Sequence, residues 1–187
     1  MALDGALAEH LERMLLRFGG GLAGSRVLEP GCGAGELTRR LVRWMGGGGR
    51  IVAFDSSPGM MRRFRESVGA VRGVFPLCVA EERAWFPAGS FDWVVCFRFY
   101  PHLQDADGFL ARCRRWLRAD GRLVVANLEG SRELNAWHAR HAGVADDVMP
   151  SGPALARKLR RLGWNVLEAL DAPEEFWVAA ENKVSVR

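Results

Sequence analysis

The last two strand-like runs of the chain, "WNVLEALD" at residues 164–171 and "EFWVAAEN" at residues 175–182, are separated by only Ala172, Pro173 and Glu174. A parallel pair needs a crossover of about a dozen residues, so this gap permits only an antiparallel hairpin. Upstream the pattern is different. Five apolar runs, "RVLEP", "IVAFD", "VFPLCV", "FDWVVCF" and "GRLVVANL", are separated by segments long enough to cross over a sheet. Right-handed crossovers on both faces wind such runs into a parallel sheet with its ligand crevice at the carboxyl ends of the strands. The expected fold is therefore α/β, a doubly wound, mostly parallel seven-stranded sheet ending in an antiparallel hairpin. Pro76 restricts the third run to a sheet edge or a bulge, because proline cannot donate to a ladder.

Helical periodicity fills the gaps. Leu37, Leu41 and Trp44 recur at helical spacing, as do Met61, Phe64 and Val68, the latter after a Ser56-Ser57-Pro58 start signal. Phe109, Leu110, Cys113, Trp116 and Leu117 mark a helix over about 106–118, and Leu7, Leu11 and Phe18 mark one within residues 1–20. Residues 131–150 break the rhythm with a helix-like "SRELNAWHARHA" followed by "GVADDVMP", and this insert is expected to lid the crevice. With 187 residues, one substantial core is possible, so residues 1–187 are read as one domain.

Several functions are argued against by composition. No apolar run approaches the roughly 20 residues of a membrane span, and Asp4, Glu9 and Glu12 interrupt the amino-terminal segment, so a cytoplasmic protein is expected. The four cysteines (Cys32, Cys78, Cys96, Cys113) form no CxxC pair, which argues against a disulfide framework and a thiolate metal site. The net charge of +4 comes almost entirely from arginines on expected outer helix faces, without a basic tail, and this favours a solvated surface over nucleic-acid binding.

Between the first strand and its helix lies "RVLEPGCGAGELTRRL", with Gly31, Gly33 and Gly35 in alternation. A phosphate-binding loop would close on Gly-Lys-Ser/Thr, whereas this turn closes on Gly35-Glu36-Leu37. A dinucleotide fingerprint would place its third glycine at position 36, where Glu36 would set negative charge against a pyrophosphate. What stands is Glu29-x-Gly31-x-Gly33-x-Gly35, and Asp55 closes the second strand 24 positions after Gly31.

This combination resembles the class I S-adenosylmethionine (SAM)-dependent methyltransferases, in particular their ubiquinone/menaquinone-methyltransferase-like small-molecule branch. "AWFPAGSFDWVVC" resembles the family's stretch around its fourth strand, and the terminal hairpin suits the family's Rossmann-like sheet with its inserted antiparallel strand. The resemblance implies SAM as cofactor. It assigns Gly31, Gly33 and Gly35 to its close approach, Glu29 to its ammonium and Asp55 to its ribose hydroxyls. Ser56 and Met60 are expected on the adenine side. The acid that the family commonly carries after the third strand is missing at Val79-Ala80. The Ala80 N–H and either Glu81 or Glu82 are the expected replacements. Asp92 is expected to fix a neighbouring loop.

Methyl transfer requires alignment of a nucleophile and, where it carries a proton, a base. After the fourth strand "CFRFYPHL" lacks the (Asp/Asn)-Pro-Pro-(Tyr/Phe) pattern of nucleobase and amide methylases, and offers His102 as acid/base candidate. Asn127 and Glu129 end the fifth strand at the same crevice. In the insert, Asn135, His138 and His141 recur every three residues, with Asp146 and Asp147 following; His138 and Asp147 are the further catalytic candidates. No third strong ligand has fixed spacing there, so no metal is expected. The expected activity is transfer of the SAM methyl to a small molecule; the alternatives are an RNA methyltransferase and a non-catalytic SAM-binding accessory protein.

Overall fold

The computed structural model describes residues 21–183 together with Glu9, Glu12 and Arg13, so the expected amino-terminal helix lies outside the described residues save for those three. The chain divides into two compact units, Met1–Trp85 and Phe86–Arg187.

In the first unit, strand β1 (Arg26–Pro30) leads through the glycine turn into helix α1 (Glu36–Met45). Strand β2 (Arg50–Asp55), helix α2 (Pro58–Val68) and strand β3 (Val74–Cys78) follow. β2 pairs in parallel with β1, Val27 opposite Ile51, and with β3, Asp55 opposite Cys78. β3 is an edge strand, which accommodates Pro76. Ser57 caps α2, its Oγ accepting from the Met60 N–H at 3.2 Å, and Pro58 occupies the first turn, where its missing N–H costs nothing. Helix α1 buries Leu37, Thr38, Leu41 and Met45; Met45 rather than Trp44 completes the inward stripe.

The second unit begins with β4 (Phe91–Phe97), helix α3 (Ala106–Trp116) and β5 (Leu117–Asn127). Helix α4 (Ser131–His138), helix α5 (Gly152–Arg161) and strands β6 (Asn165–Ala172) and β7 (Glu175–Glu181) complete it. α3 stops at Trp116, two residues earlier than its periodicity suggests, because Leu117 turns extended and starts β5. β5 runs parallel to β4, and β7 lies antiparallel between β5 and β6, with Ala126 opposite Trp177 and Ala172 opposite Glu175. The strands form one seven-stranded sheet in the order β3-β2-β1-β4-β5-β7-β6, which is the expected architecture with its terminal hairpin. Val94, Val95, Val124, Val125, Trp177 and Val178 form the dry centre of this half.

Two polar devices fix the second unit. Asp171 on β6 accepts from the Ser131 N–H (2.8 Å), the Ser131 hydroxyl (2.6 Å) and the Gly152 N–H (2.9 Å), and so holds the first residues of α4 and α5 together. Burial alone would raise its carboxyl, but these three donors outweigh burial and hold it below the ordinary carboxylate range. Asp92 on β4 accepts from Arg118 Nε at 2.6 Å, a tie to the start of β5 rather than to a loop. All four cysteines are free; Cys32, Cys96 and Cys113 are buried and Cys78 is exposed.

Candidate functional site

The glycine turn is shaped by its backbone. Gly31, Gly33 and Gly35 have φ of 66°, 52° and 82°, the left-handed region that side-chain-bearing residues avoid. The latter two glycines serve different ends. A Cβ on Gly35 would collide with Val68 and come within 2.9 Å of Phe64 Cδ2, so Gly35 lets α2 close against the turn. A Cβ on Gly33 would meet nothing within 4 Å, so the backbone there faces open space.

Asp55 fastens this turn to the end of β2. Its Oδ2 accepts from the Gly33 N–H at 3.1 Å and its Oδ1 from the Ser57 N–H at 2.8 Å. It is thus no helix cap, a task Ser57 performs. A carboxylate has about four acceptor sites, so two remain for hydroxyl donors. Glu29, 2 % exposed, accepts from the Thr38 hydroxyl at 2.6 Å. Burial pushes the Glu29 carboxyl up to about 8, against the opposing hydrogen bonds from the Thr38 hydroxyl and N–H. Burial likewise raises the Cys32 thiol, with Glu29 and Asp55 adding to the effect, so Cys32 is an inert packing group.

Beside β3 lies a cleft of about 570 Å³ lined by Ser56, Cys78, Val79, Ala80, Glu82 and Arg83. Ser56 and Ala80 are the residues expected there. The Ala80 carbonyl accepts from the Arg83 and Ala84 N–H groups of a 3-10 turn over Glu81–Arg83, and this turn aims Glu82, rather than Glu81, at the cleft. Met60 is 39 % exposed and is not among the cleft's lining residues.

The second unit carries a separate polar cluster. His102, in a 3-10 turn over Tyr100–His102, donates from Nδ1 to Asp147 Oδ2 at 2.6 Å. His138, at the end of α4, donates from Nδ1 to the Asp147 carbonyl, also at 2.6 Å. Since an ionised carboxylate and a carbonyl can only accept, both imidazoles carry hydrogen on Nδ1, and Nε2 takes no part in either bond. The two rings stand 5.7 Å apart. The three expected catalytic residues, His102, His138 and Asp147, therefore meet, although His102 and Asp147 are 45 positions apart. Asn135 anchors the loop that delivers Asp147: its amide donates to the Met149 carbonyl (2.9 Å) and its oxygen accepts from the Met149 N–H (2.8 Å).

Other candidates fall away from the cluster. α4 ends at His138, so His141 leaves the expected common face; it bonds the Trp137 carbonyl and stacks on the Trp137 ring at 3.8 Å. Asp146 is exposed. Asn127 spends its Oδ1 on the Leu128 N–H at 3.0 Å, and Glu129 Oε2 is shielded without a hydrogen-bond partner among the described residues. Among the described residues no group of three or more His, Cys, Asp or Glu side chains is placed to hold a metal ion.

Sequence reasoning overlooked Thr38 and Trp137. Thr38 is a hydroxyl on an otherwise apolar helix stripe, a signal that a buried acceptor faces it. Trp137, 48 % exposed on α4, has no local signal beyond its size.

Comparison with known proteins agrees with this geometry. Residues 28–125 match the family described as a methyltransferase domain. The chain is 31% identical over 133 residues to a ubiquinone biosynthesis O-methyltransferase of Xanthomonas oryzae pv. oryzae (strain PXO99A), covering 70% of this chain and 54% of that protein. It is 32% identical over 140 residues to the biotin biosynthesis bifunctional protein BioCD of Bordetella avium (strain 197N), covering 73% of this chain and 28% of that one. It thus spans about half or less of the curated relatives it matches. A SAM dependent methyltransferase from Aquifex aeolicus shares the fold with a TM-score of 0.74 at 20% identity, covering 95% of this chain and 98% of that one. One from Mesorhizobium loti does so with a TM-score of 0.75 at 17% identity, covering 96% and 100%.

Proposed function

The chain belongs to the methyltransferase-domain family, and on that premise we propose that it transfers the methyl group of S-adenosylmethionine to a small-molecule acceptor. One observation carries the reading: Asp55 ties the Gly33 N–H to the end of β2 and keeps acceptor sites in reserve, beside a glycine whose missing side chain leaves open space. The residues present fit the cofactor. Gly31 and Gly33 would admit its methionyl part and Asp55 its ribose hydroxyls. Gly35 would hold the turn closed. The cleft lined by Ser56, Ala80 and Glu82 would take the adenine, with Glu82 supplying the acid for its amino group in place of Glu81. A cationic ammonium beside Glu29 would draw that carboxyl back toward ionisation. When bound, SAM supplies a methyl group on a sulfonium, which leaves as a neutral thioether.

The relatives' printed roles, both biosynthetic, support a small-molecule acceptor and work in the cytoplasm. Among the described residues no helix is long and apolar enough to cross a membrane. Three of the arginines that could have suggested a nucleic-acid face are engaged within the protein: Arg114 with Asn182 and the Leu162 carbonyl, Arg118 with Asp92, and Arg122 with Glu181.

Calorimetric titration with S-adenosylhomocysteine tests the reading. Binding in the micromolar range, abolished in Asp55→Ala, is expected. A folded sample that takes up no heat at millimolar ligand would overturn it.

A further inference from the structure

Between α1 and the end of α2, within the first unit, lies a groove of about 270 Å³ lined by Arg39, Val42, Arg43, Val68 and Val71. We propose that this groove is a second binding site, for an anion with an apolar tail of the medium-chain carboxylate class, and that its occupant tightens the glycine turn through Val68. The link to the turn rests on the cofactor reading above; the site itself does not.

Local sequence builds the groove. Arg39 and Arg43 lie one turn apart on α1 and share a face, with Val42 beside them. Val68 is the last residue of α2; the left-handed Gly69 (φ 70°) ends the helix, its N–H bonded to the Arg65 carbonyl. The chain then turns back. Val71, whose carbonyl accepts from the Val74 N–H at 3.1 Å, lines the groove beside Val68.

Three observations identify the occupant. First, three half-buried valines lie beneath two exposed arginines, so the groove is apolar below and cationic above. Neither Arg39 nor Arg43 makes a hydrogen bond or ion pair among the described residues, whereas Arg65 on α2 is engaged with the Met61 carbonyl. On α1, α2 and the turn to Gly73, Glu36 and Glu66 are the only acids against seven arginines, and the local potential is positive. Two guanidinium forks a turn apart suit one carboxylate. Second, the carbonyl end of α2 carries partial negative charge and repels an anionic head. The head therefore belongs on the arginines of α1, with the tail over Val68 and Val71. Third, the space equals the liquid volume of about nine waters, and drug-sized ligands occupy about 300–1,000 Å³. A short chain fits; a nucleotide does not, and an inorganic anion would leave the valines uncovered.

Val68 also has a second neighbour. It is the side chain that a Cβ on Gly35 would strike, and the adjoining Ser67 hydroxyl donates to the Ala34 carbonyl. The end of α2 is thus a wall of the groove on one side and the backing of the glycine turn on the other. A tail packed on Val68 keeps its contacts only while the helix end stays closed on Gly35. Tail and cofactor favour the same arrangement, and each strengthens the other by the same factor.

Octanoate is the probe, followed through the relaxation of its own proton resonances in the presence of the full chain, while S-adenosylhomocysteine is titrated by calorimetry. Saturable binding at roughly millimolar octanoate is expected. Acetate lacks the tail and octylamine lacks the anion, and each should bind at least about fivefold more weakly. The double variant Arg39→Ala/Arg43→Ala alters only exposed side chains, so it should keep the wild-type denaturant midpoint and lose octanoate affinity about fivefold or more. Saturating octanoate should tighten S-adenosylhomocysteine binding about threefold or more in the wild-type protein. That ratio, from which a general loss of affinity cancels, should fall toward one in the double variant and in Val68→Ala. Absence of saturable octanoate binding, equal binding by the double variant, or octylamine binding as tightly as octanoate overturns the site. Co-sedimentation with phosphatidylglycerol vesicles in place of octanoate binding assigns the arginines to a lipid surface and likewise overturns it. Octanoate binding that leaves S-adenosylhomocysteine affinity unchanged overturns the link through Val68. Failure of S-adenosylhomocysteine to bind while octanoate is held overturns instead the cofactor reading.

Discussion

Asp55 and Asp147 each join segments far apart in sequence, but they do so in opposite ways. Asp55 accepts from main-chain N–H groups at Gly33 and Ser57, so its geometry is dictated by the backbone of a turn and a helix start. Asp147 accepts from an imidazole, and the main chain around it is held by two further side chains, His138 and Asn135. A site made from backbone is tied to the fold itself. One made from side chains on a loop can change without disturbing the sheet, because the loop is carried by the scaffold and does not build it.

The contrast breaks most severely at Gly35. In Gly35→Ala, left-handed strain adds to a collision with Val68 and Phe64, and a loss of about 3–5 kcal/mol is expected from the two effects together. A denaturant midpoint measurement would check this. An unchanged midpoint would mean that the turn is not packed as described. Asp55→Ala comes next: it strips two N–H groups of their partner and is expected to cost about 2 kcal/mol of stability in addition to cofactor binding.

Glu29→Gln is expected to change stability in the other direction. The unfolded carboxyl ionises near its ordinary value of 4.5, while the folded one stays protonated up to about 8. Across that window the native state binds more protons, so its stability falls as pH rises and levels off above it. Glutamine can still accept from Thr38 but does not titrate, so the slope should vanish. The variant should gain up to a few kcal/mol relative to wild type at pH 8.5. Thermal melts from pH 4 to 9 would show this; parallel curves for the two proteins would refute a buried neutral acid. The smallest effect is expected from Asp147→Ala. Its ion pair with His102 is solvated, so the stability change should stay below about 1 kcal/mol. A much larger loss would place Asp147 among the structural carboxylates with Asp55.

The same contrast explains what could be read from the sequence. The three-residue gap at Ala172–Glu174 forces a hairpin, Ser57-Pro58 announces a helix, and alternating glycines announce left-handed backbone, because each is a local steric fact. Asp55 was legible through its spacing to that turn. The meeting of His102 with Asp147 has no local signature; only the residue types pointed to it, and His141, of the same type and on the expected face, went elsewhere when α4 ended at His138. Met45 in place of Trp44 is a one-residue difference set by the pitch of a helix, and the 3-10 turn over Glu81–Arg83 is what puts Glu82 among the residues lining the cleft. Thr38 was missed because its role depends on Glu29, on a different element.

The paired bonds between Asn135 and Met149 have a consequence for descent as well as for geometry. By answering both the backbone donor and the backbone acceptor of one residue, Met149, the Asn135 amide closes the intervening chain into a ring whose ends stay put. Within it, the bonds of Ala139, Arg140, His141 and Val144 are all to near neighbours. Such a ring behaves as an exchangeable cassette. Insertions or replacements between 139 and 146 are expected to leave β5 and α5 where they are, so this stretch can vary in length and sequence among descendants while the fold stays the same.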